Sequence, residues 1–427
     1  MTRLATLLAI VLGLPNFASA DWPQFRGPTG QGHSAARGLA IQWSDSRHVT
    51  WKAPVPGRGH SSPVVSGEQV WLTTATDGGK SLRAICLDRA SGHSVHDVEV
   101  FKQKPSRRHP KNGFASPTPV TDGKHVWVHF GAAGTACLAA DGRIVWKRTD
   151  LKYHHPHAPA SSPIVFGDTL ILCCDGKDAQ FLVALDKKTG RTVWNQPRQH
   201  LERARVKEES EPASRRGFPF MAYSTPLVIE VAGEPQIICP VADHVAAYDP
   251  RNGREIWWHG YNGFSQVARP VFGHGLVFVI GTKVDGQPEL FAIRPAPDIR
   301  GELSDKSIRW RRTIGVPHVP SPLLIGDELY LLHDRGVVTC LDARSGRLAW
   351  QRRLAGNYSA SPIFADGRVY ACNEVGRTSV FLPGRMFRRL AVNVLPAGIF
   401  ASPAVAGRAL FLRTETHVYR IETAATH

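Results

Sequence analysis

From residue 48 onward the chain alternates short apolar runs with turns built from glycine, aspartate and proline. The runs are rich in valine, isoleucine, phenylalanine and tryptophan. Such side chains fit a pleated, half-buried surface, so the pattern predicts strands. No apolar stripe of helical period persists, which excludes helical repeats.

A phrase recurs on top of this alternation. Ser-Pro or a close relative opens an apolar run, a Gly/Asp turn follows, and a second β-rich run comes next. The openings are Ser62-Pro63, Ser116-Pro117, Ser162-Pro163, Thr225-Pro226, Arg269-Pro270, Ser321-Pro322, Ser361-Pro362 and Ser402-Pro403. Eight copies, 40 to 63 residues apart, predict an all-β, eight-bladed β-propeller with four antiparallel strands per blade. A parallel β-helix is the alternative, but its coils are shorter than this period. In the fullest copy, strand A is Pro163–Phe166, strand B Thr169–Cys173, strand C Gln180–Leu185 and strand D Arg191–Trp194. Gly167-Asp168 makes the A–B turn and Asp186 to Gly190 the C–D turn. Glycine accepts positive φ and aspartate bonds its own backbone, which is why the pair marks tight turns. D-strand indoles follow at Trp146, Trp194, Trp257, Trp310 and Trp350, and are expected to pack between blades.

The last copy stops after two strands beyond its opening strand, Ala409–Leu412 and Thr416–Ile421. Its missing D strand is available at the other end of the chain, where His48-Val49-Thr50-Trp51-Lys52 matches Gly-Arg-Thr-Val-Trp of other blades. The N-terminal strand is therefore expected to complete blade eight and close the ring, which removes exposed sheet edges.

Ahead of the repeats, Arg3, the apolar run Leu4–Leu14, Pro15 and Ala18-Ser19-Ala20 read as a cleavable secretory signal over residues 1–20. A membrane anchor is the alternative, although the run is short for a bilayer span. This reading leaves one propeller domain, 21–427, with a lead-in at 21–46, exported to the periplasm or the medium. The 427 residues carry 52 Lys+Arg against 36 Asp+Glu, a net charge of +16. That excess favours a polyanionic or acidic partner. The basic stretches Lys102–Lys111 and Pro197–Arg216, with Arg198 among them, fall in D-to-A connections. Export, the lack of a nucleic-acid motif and little aromatic interleaving disfavour nucleic acid. A protein partner or an anionic polymer or glycan is expected, with the chain itself a monomer.

Motifs of chemistry are thin. The seven cysteines are an odd number; Cys86, Cys137 and Cys340 read as small buried hydrophobes. His154-His155-Pro156-His157 has no partner at ligand spacing and reads as a solvated loop rather than a metal site. Cys173-Cys174 read as neighbours on one strand, pointing to opposite faces.

The unit SSP-apolar-Gly-Asp followed by Leu182-Val183-Ala184-Leu185-Asp186-Lys187-Lys188-Thr189-Gly190-Arg191-Thr192-Val193-Trp194 resembles the pyrroloquinoline-quinone (PQQ) repeat. That repeat is shared by quinoprotein alcohol dehydrogenases, by the lipoprotein scaffold of outer-membrane protein assembly and by many exported propellers. The opening Asp21-Trp22-Pro23-Gln24-Phe25-Arg26-Gly27-Pro28 and the tail from Pro403 to Thr414 resemble exported PQQ-like propellers of planctomycete-type bacteria. The resemblance implies the fold strongly and a function weakly, since one fold hosts many functions. In the dehydrogenases, PQQ and a calcium ion sit in the channel and adjacent cysteines form a vicinal disulfide against the quinone. Cys173-Cys174-Asp175 matches only that last feature, and no calcium-ligand set is recognisable. No cofactor is therefore predicted. A binding or scaffold module is favoured, with a PQQ-dependent oxidoreductase and a carbohydrate-active enzyme as alternatives.

Propeller strand order puts D–A and B–C connections on one face. The D–A connections are long and irregular, the kind of loop that carries function on a rigid scaffold. Residues just before each strand A should ring the channel mouth: His60, Phe114, Ala160, Tyr223, Val267, Val319, Ser359 and Phe400. Arg58, His60, His157, Tyr223, Gln266, His318 and Tyr358 are the expected ligand- or partner-binding residues, around a funnel suited to a polar or anionic ligand.

Overall fold

The structure, a computed structural model, describes residues 21–105, 107–198, 221–261, 263, 265–283 and 286–423. The expected signal segment and the basic stretch from 199 to 216 lie outside the described residues.

Eight antiparallel units form the ring. Blade 1 is Val64–Ser66, Gln69–Thr76, Ser81–Asp88 and Ser94–Lys102, and blade 3 is Ile164–Phe166, Thr169–Asp175, Gln180–Asp186 and Thr192–Pro197. Blade 8 takes Ala404–Ala406, Ala409–Arg413 and His417–Ile421 from the end of the chain and Val49–Pro54 from its beginning. The closing strand runs antiparallel to the last one, with Trp51 opposite Arg420 and Lys52 opposite Tyr419. The closure read from the sequence is the closure observed. Arg413 reinforces the seam: its guanidinium, buried in blade 8, donates to the Ser61 and Thr73 carbonyls of blade 1.

Every C–D pair carries a register shift near the start of strand D. Such a bulge re-aims the following side chains. In five blades it delivers an indole to the next blade's C–D turn. Trp51 donates to the Arg89 carbonyl, Trp146 to Lys187, Trp194 to Pro250, Trp310 to Ala343 and Trp350 to Gly384. In four of the five, all but Trp350, the ring lies over the glycine that ends the turn: a Cβ on Gly190 would stand 2.7 Å from Trp146, and one on Gly253 2.5 Å from Trp194. Both glycines also have positive φ, so turn and ring require the same residue. His96 takes the indole's place in blade 1, reaching the Ala140 carbonyl above Gly142. Trp257 departs from the expectation, donating to Gln236 in its own blade. The next C–D connection, from Arg294 to Ser307, is not a tight turn; its strand Gly301–Glu302 pairs instead with Trp257–Trp258 as a fifth strand.

The lead-in crosses the channel on the A–B side. Trp22 bridges Val65 of blade 1, the Thr121 amide bonds the Pro23 carbonyl, the Phe272 amide bonds Gln31, and His33–Ser34 pairs with Phe364–Ala365 of blade 7.

Candidate functional site

The repeat's opening hydroxyls meet around the axis. The Ser62 amide donates to the Thr118 hydroxyl, Thr118 to Ser162, and Ser162 to Thr225. After one gap, Arg269 donates to Ser321, Ser321 to Ser361, Ser361 to Ser402 and Ser402 back to Ser62. Each hydroxyl thus satisfies an amide of the preceding blade, a buried donor that would otherwise cost about 1–3 kcal/mol. All seven hydroxyls line a cavity of about 360 Å³ that opens on the D–A face.

Arg269 stands where the eighth hydroxyl is missing. It donates to the Pro226 carbonyl and, at 2.6 Å, to the carbonyl of Phe25. Phe25 lines the cavity, so Arg269 fastens part of the lead-in that floors it. Arg26, also in the lead-in, reaches the carbonyls of Gln31 and Pro322. Both guanidiniums are fully buried. Desolvation lowers each pKa to about 9, with mutual repulsion adding for Arg26, and both remain cationic at neutral pH.

Seven of the eight predicted pre-A positions line the cavity; Phe114 does not, and packs instead over Gly79. Of the seven candidate residues, three reach the cavity. His60 stacks on Phe400 with centroids 4.7 Å apart, and its buried Nε2 has no hydrogen-bond partner. Burial, then the neighbouring Arg413, Arg58 and Arg108, push its pKa down to about 3. His157 and Tyr223 face each other at 6.2 Å, and burial lowers the His157 pKa, with His109 and Arg107 adding to it. The other four do not line it. Tyr358 is 1% exposed, packed with Leu354 and Phe381. Gln266 is buried against the Ala242 backbone, so its neighbours Ser265 and Val267 line the cavity in its place. Arg58 pairs with Glu415 at 3.9 Å and is bound through its backbone to Ala75. His318 is exposed, its amide held by Asp334.

Two lining residues, His109 and Lys111, came from the basic stretch Lys102–Lys111, and Asn112, expected at the mouth, lies just beyond it. His109, Lys111 and Asn112 enter because the Asn112 amide clamps the carbonyls of His157 and Ala158. Lys111 pairs at 2.8 Å with Glu374 of blade 7. The ring hydroxyls were in view as repeat openers, and alternation alone carried no sign that they converge. The lead-in floor had no sequence signal beyond its resemblance to related openings.

Two expectations are corrected. Arg198 is not a surface cation: its guanidinium is buried and forms a bidentate pair with Asp175. His155 is not solvated, since it is 8% exposed and bonded to the Asp175 carbonyl. Cys173 and Cys174 do point to opposite faces, into two different cores, and both are free. Burial pushes the Cys86 and Cys137 thiols up to about 12, as expected for packing residues.

These residues do not fit a calcium–quinone centre. Ca²⁺ takes six to eight oxygens with carboxylates among them. The lining contains no carboxylate, and the adjacent Glu374 is engaged by Lys111 and Ser359. Neither adjacent cysteine lines the cavity. No cluster of three metal-ligating side chains exists among the described residues.

A family model described as outer membrane protein assembly factor BamB matches residues 33–149, 83–352, 241–382 and 318–425. No curated protein matches. Among solved structures, quinohemoprotein alcohol dehydrogenase from Comamonas testosteroni aligns with a TM-score of 0.57 at 12% identity, covering 96% of this chain and 82% of that one. The quinohemoprotein alcohol dehydrogenase ADHIIG from Pseudomonas putida HK5 aligns at 0.57 and 11%, covering 99% and 84%. BamB from Moraxella catarrhalis aligns at 0.44 and 14%, covering 92% and 97%. At these identities the two dehydrogenases share the fold.

Proposed function

This chain belongs to the family described as outer membrane protein assembly factor BamB, and from that premise we propose that it is an exported, non-catalytic binding or scaffold module whose partner enters the D–A mouth. The lining of the cavity carries the reading. It offers hydroxyls, histidines, one lysine and aromatic rings, without a carboxylate to serve as general acid, base or metal ligand. The ring serines accept backbone amides, Ser116 bonds Asn112 and Ser359 bonds Glu374, and among the described residues no lining serine is hydrogen-bonded to a histidine. That set recognises; it has no activated nucleophile. The signal-like segment at 1–20 supports export, and among the described residues no helix is long and apolar enough to cross a membrane. The family supports a protein partner, and the basic chain an acidic one.

The test is a pull-down and glycan screen with His60→Ala, His157→Ala and Tyr223→Ala, set against Lys188→Ala and Arg191→Ala on the C–D face. Binding is expected to be lost through the first set alone. Loss through the second set alone places the site on the other face. A quinone absorbance retained through gel filtration after PQQ and calcium are added would replace this reading with a quinoprotein oxidoreductase.

A further inference from the structure

The ring hydroxyls have a property that the repeat alone does not require. Each accepts an amide hydrogen from the preceding blade, and among the described residues none of the seven donates. A hydroxyl has one hydrogen to give. Seven O–H donors therefore border one cavity with that hydrogen uncommitted, each polarised by the N–H it accepts.

Positive charge lies directly beneath them. Arg269 holds the Pro226 carbonyl and Arg26 the Pro322 carbonyl, the residues that follow the ring members Thr225 and Ser321. Arg26 Nε and Nη1 and Arg269 Nε are buried without a hydrogen-bond partner. Arg413 sits behind Ser61, donating to its carbonyl and hydroxyl. None of the three is paired with a carboxylate among the described residues. A buried cation without a counter-ion is costly, so three of them around one throat leave a field that an incoming negative group would relieve. The rim agrees in part, because Arg413, after burial, helps to hold His60 neutral.

We propose that the throat is an oxyanion site, in which the hydroxyl ring donates to a carboxylate, sulfate or phosphate group at the leading end of an entering ligand. The cavity volume fits one small acidic unit, and the aromatic and histidine rings of the rim would flank its body. The inference rests on the D–A mouth being the entrance, but it makes a claim that small anions alone can test. A charge-assisted O–H···O⁻ bond is short and about twice as strong as a neutral one, so each hydroxyl should matter.

The test titrates sodium sulfate and sodium acetate into the full chain against sodium chloride at matched ionic strength. The His60 ring signals are followed by NMR, identified by their absence in His60→Gln. The expected result is a saturable shift with sulfate, acetate or both, and none with chloride; the preferred ion separates a tetrahedral oxyanion from a planar one. Thr118→Val should weaken binding by about tenfold and Thr118→Ser should restore it. If Thr118→Val does not fold, Ser361→Ala removes a donor on the far side of the ring and carries the same expectation. Shifts identical in all three salts overturn the proposal, as does unchanged affinity in the folded hydroxyl variants. Small-anion binding with no partner captured at the mouth would instead overturn the scaffold reading and leave the throat site standing.

Discussion

At the rim of the C–D face, six blades place an indole, or His96 once, on a carbonyl of the next turn, and in five of them the ring also lies over the turn's glycine. Around the D–A mouth the side chain changes from blade to blade, apart from the neighbouring Val267 and Val319. His60, Asn112, His157, Tyr223, Val267, Val319, Ser359 and Phe400 follow one another there. Between them runs the hydroxyl ring, which is repeated like the rim yet exposed to the cavity like the mouth. The difference separates two uses of one repeat. Where sequence recurs, it joins blade to blade; where it varies, it shapes a surface. The hydroxyl ring serves both, because a serine can satisfy a neighbour's amide as acceptor and keep its own hydrogen.

The largest effect should come from removing what the two sides share. Deleting residues 21–53 takes away the strand that closes blade 8, the Trp51 contact and the floor of the cavity. The open edges of blades 8 and 1 would then be free to pair with other chains. A steep fall in melting temperature with aggregation is expected in a thermal scan. A truncated chain that melts like the intact one would show that closure contributes little. Trp194→Ala comes next. Its ring is 9% exposed, stacked on Gly253 and bonded to the Pro250 carbonyl. Loss of about 3–5 kcal/mol in urea unfolding is expected. Partner and anion binding at the mouth should stay unchanged, and a mouth that fails together with Trp194 would break the separation of the two sides.

The same contrast decides what could be read in advance. The blades, their register and the closing strand were legible because Ser-Pro, Gly-Asp and the D-strand indoles recur, and a recurring local signal reports a recurring local geometry. The pre-A positions inherited that register, and so they were placed well. Of the candidates one or more residues away, only His157 reached the cavity. Gln266 sits in the two-residue strand Ser265–Gln266 and Tyr358 in a connection, and at both one step along the chain decides between cavity and core. Arg198 looked like surface because a cation and its distant partner Asp175 leave no local mark. Glu374, which ties Lys111 across 263 positions, was invisible for the same reason.

Acid should separate the two sides by the smallest of these effects. The aspartates of the C–D turns at 88, 186 and 342 have pKa values lowered first by hydrogen bonds from turn hydroxyls, so they stay ionised to a lower pH than an ordinary aspartate. On the D–A side the sensitive groups are histidines. His129 ends strand B of blade 2, is 2% exposed, and is bonded through its two ring nitrogens to Thr135 and Tyr153. Burial, with His155 adding repulsion, holds its pKa at about 3. An unfolded histidine titrates near 6.5, so between these two values the unfolded chain binds a proton that the folded chain refuses. The stability this group contributes is complete above pH 6.5 and is lost progressively as the pH falls toward 3. The slope is about 1.4 kcal/mol per pH unit for each such histidine. Urea unfolding at pH 7.5 and pH 5 should show that loss, and His129→Gln should make the dependence shallower by one histidine's share. A stability unchanged between those two pH values would mean that these histidines take up protons in the folded chain. The D–A side would then be no more acid-sensitive than the rim of turns opposite.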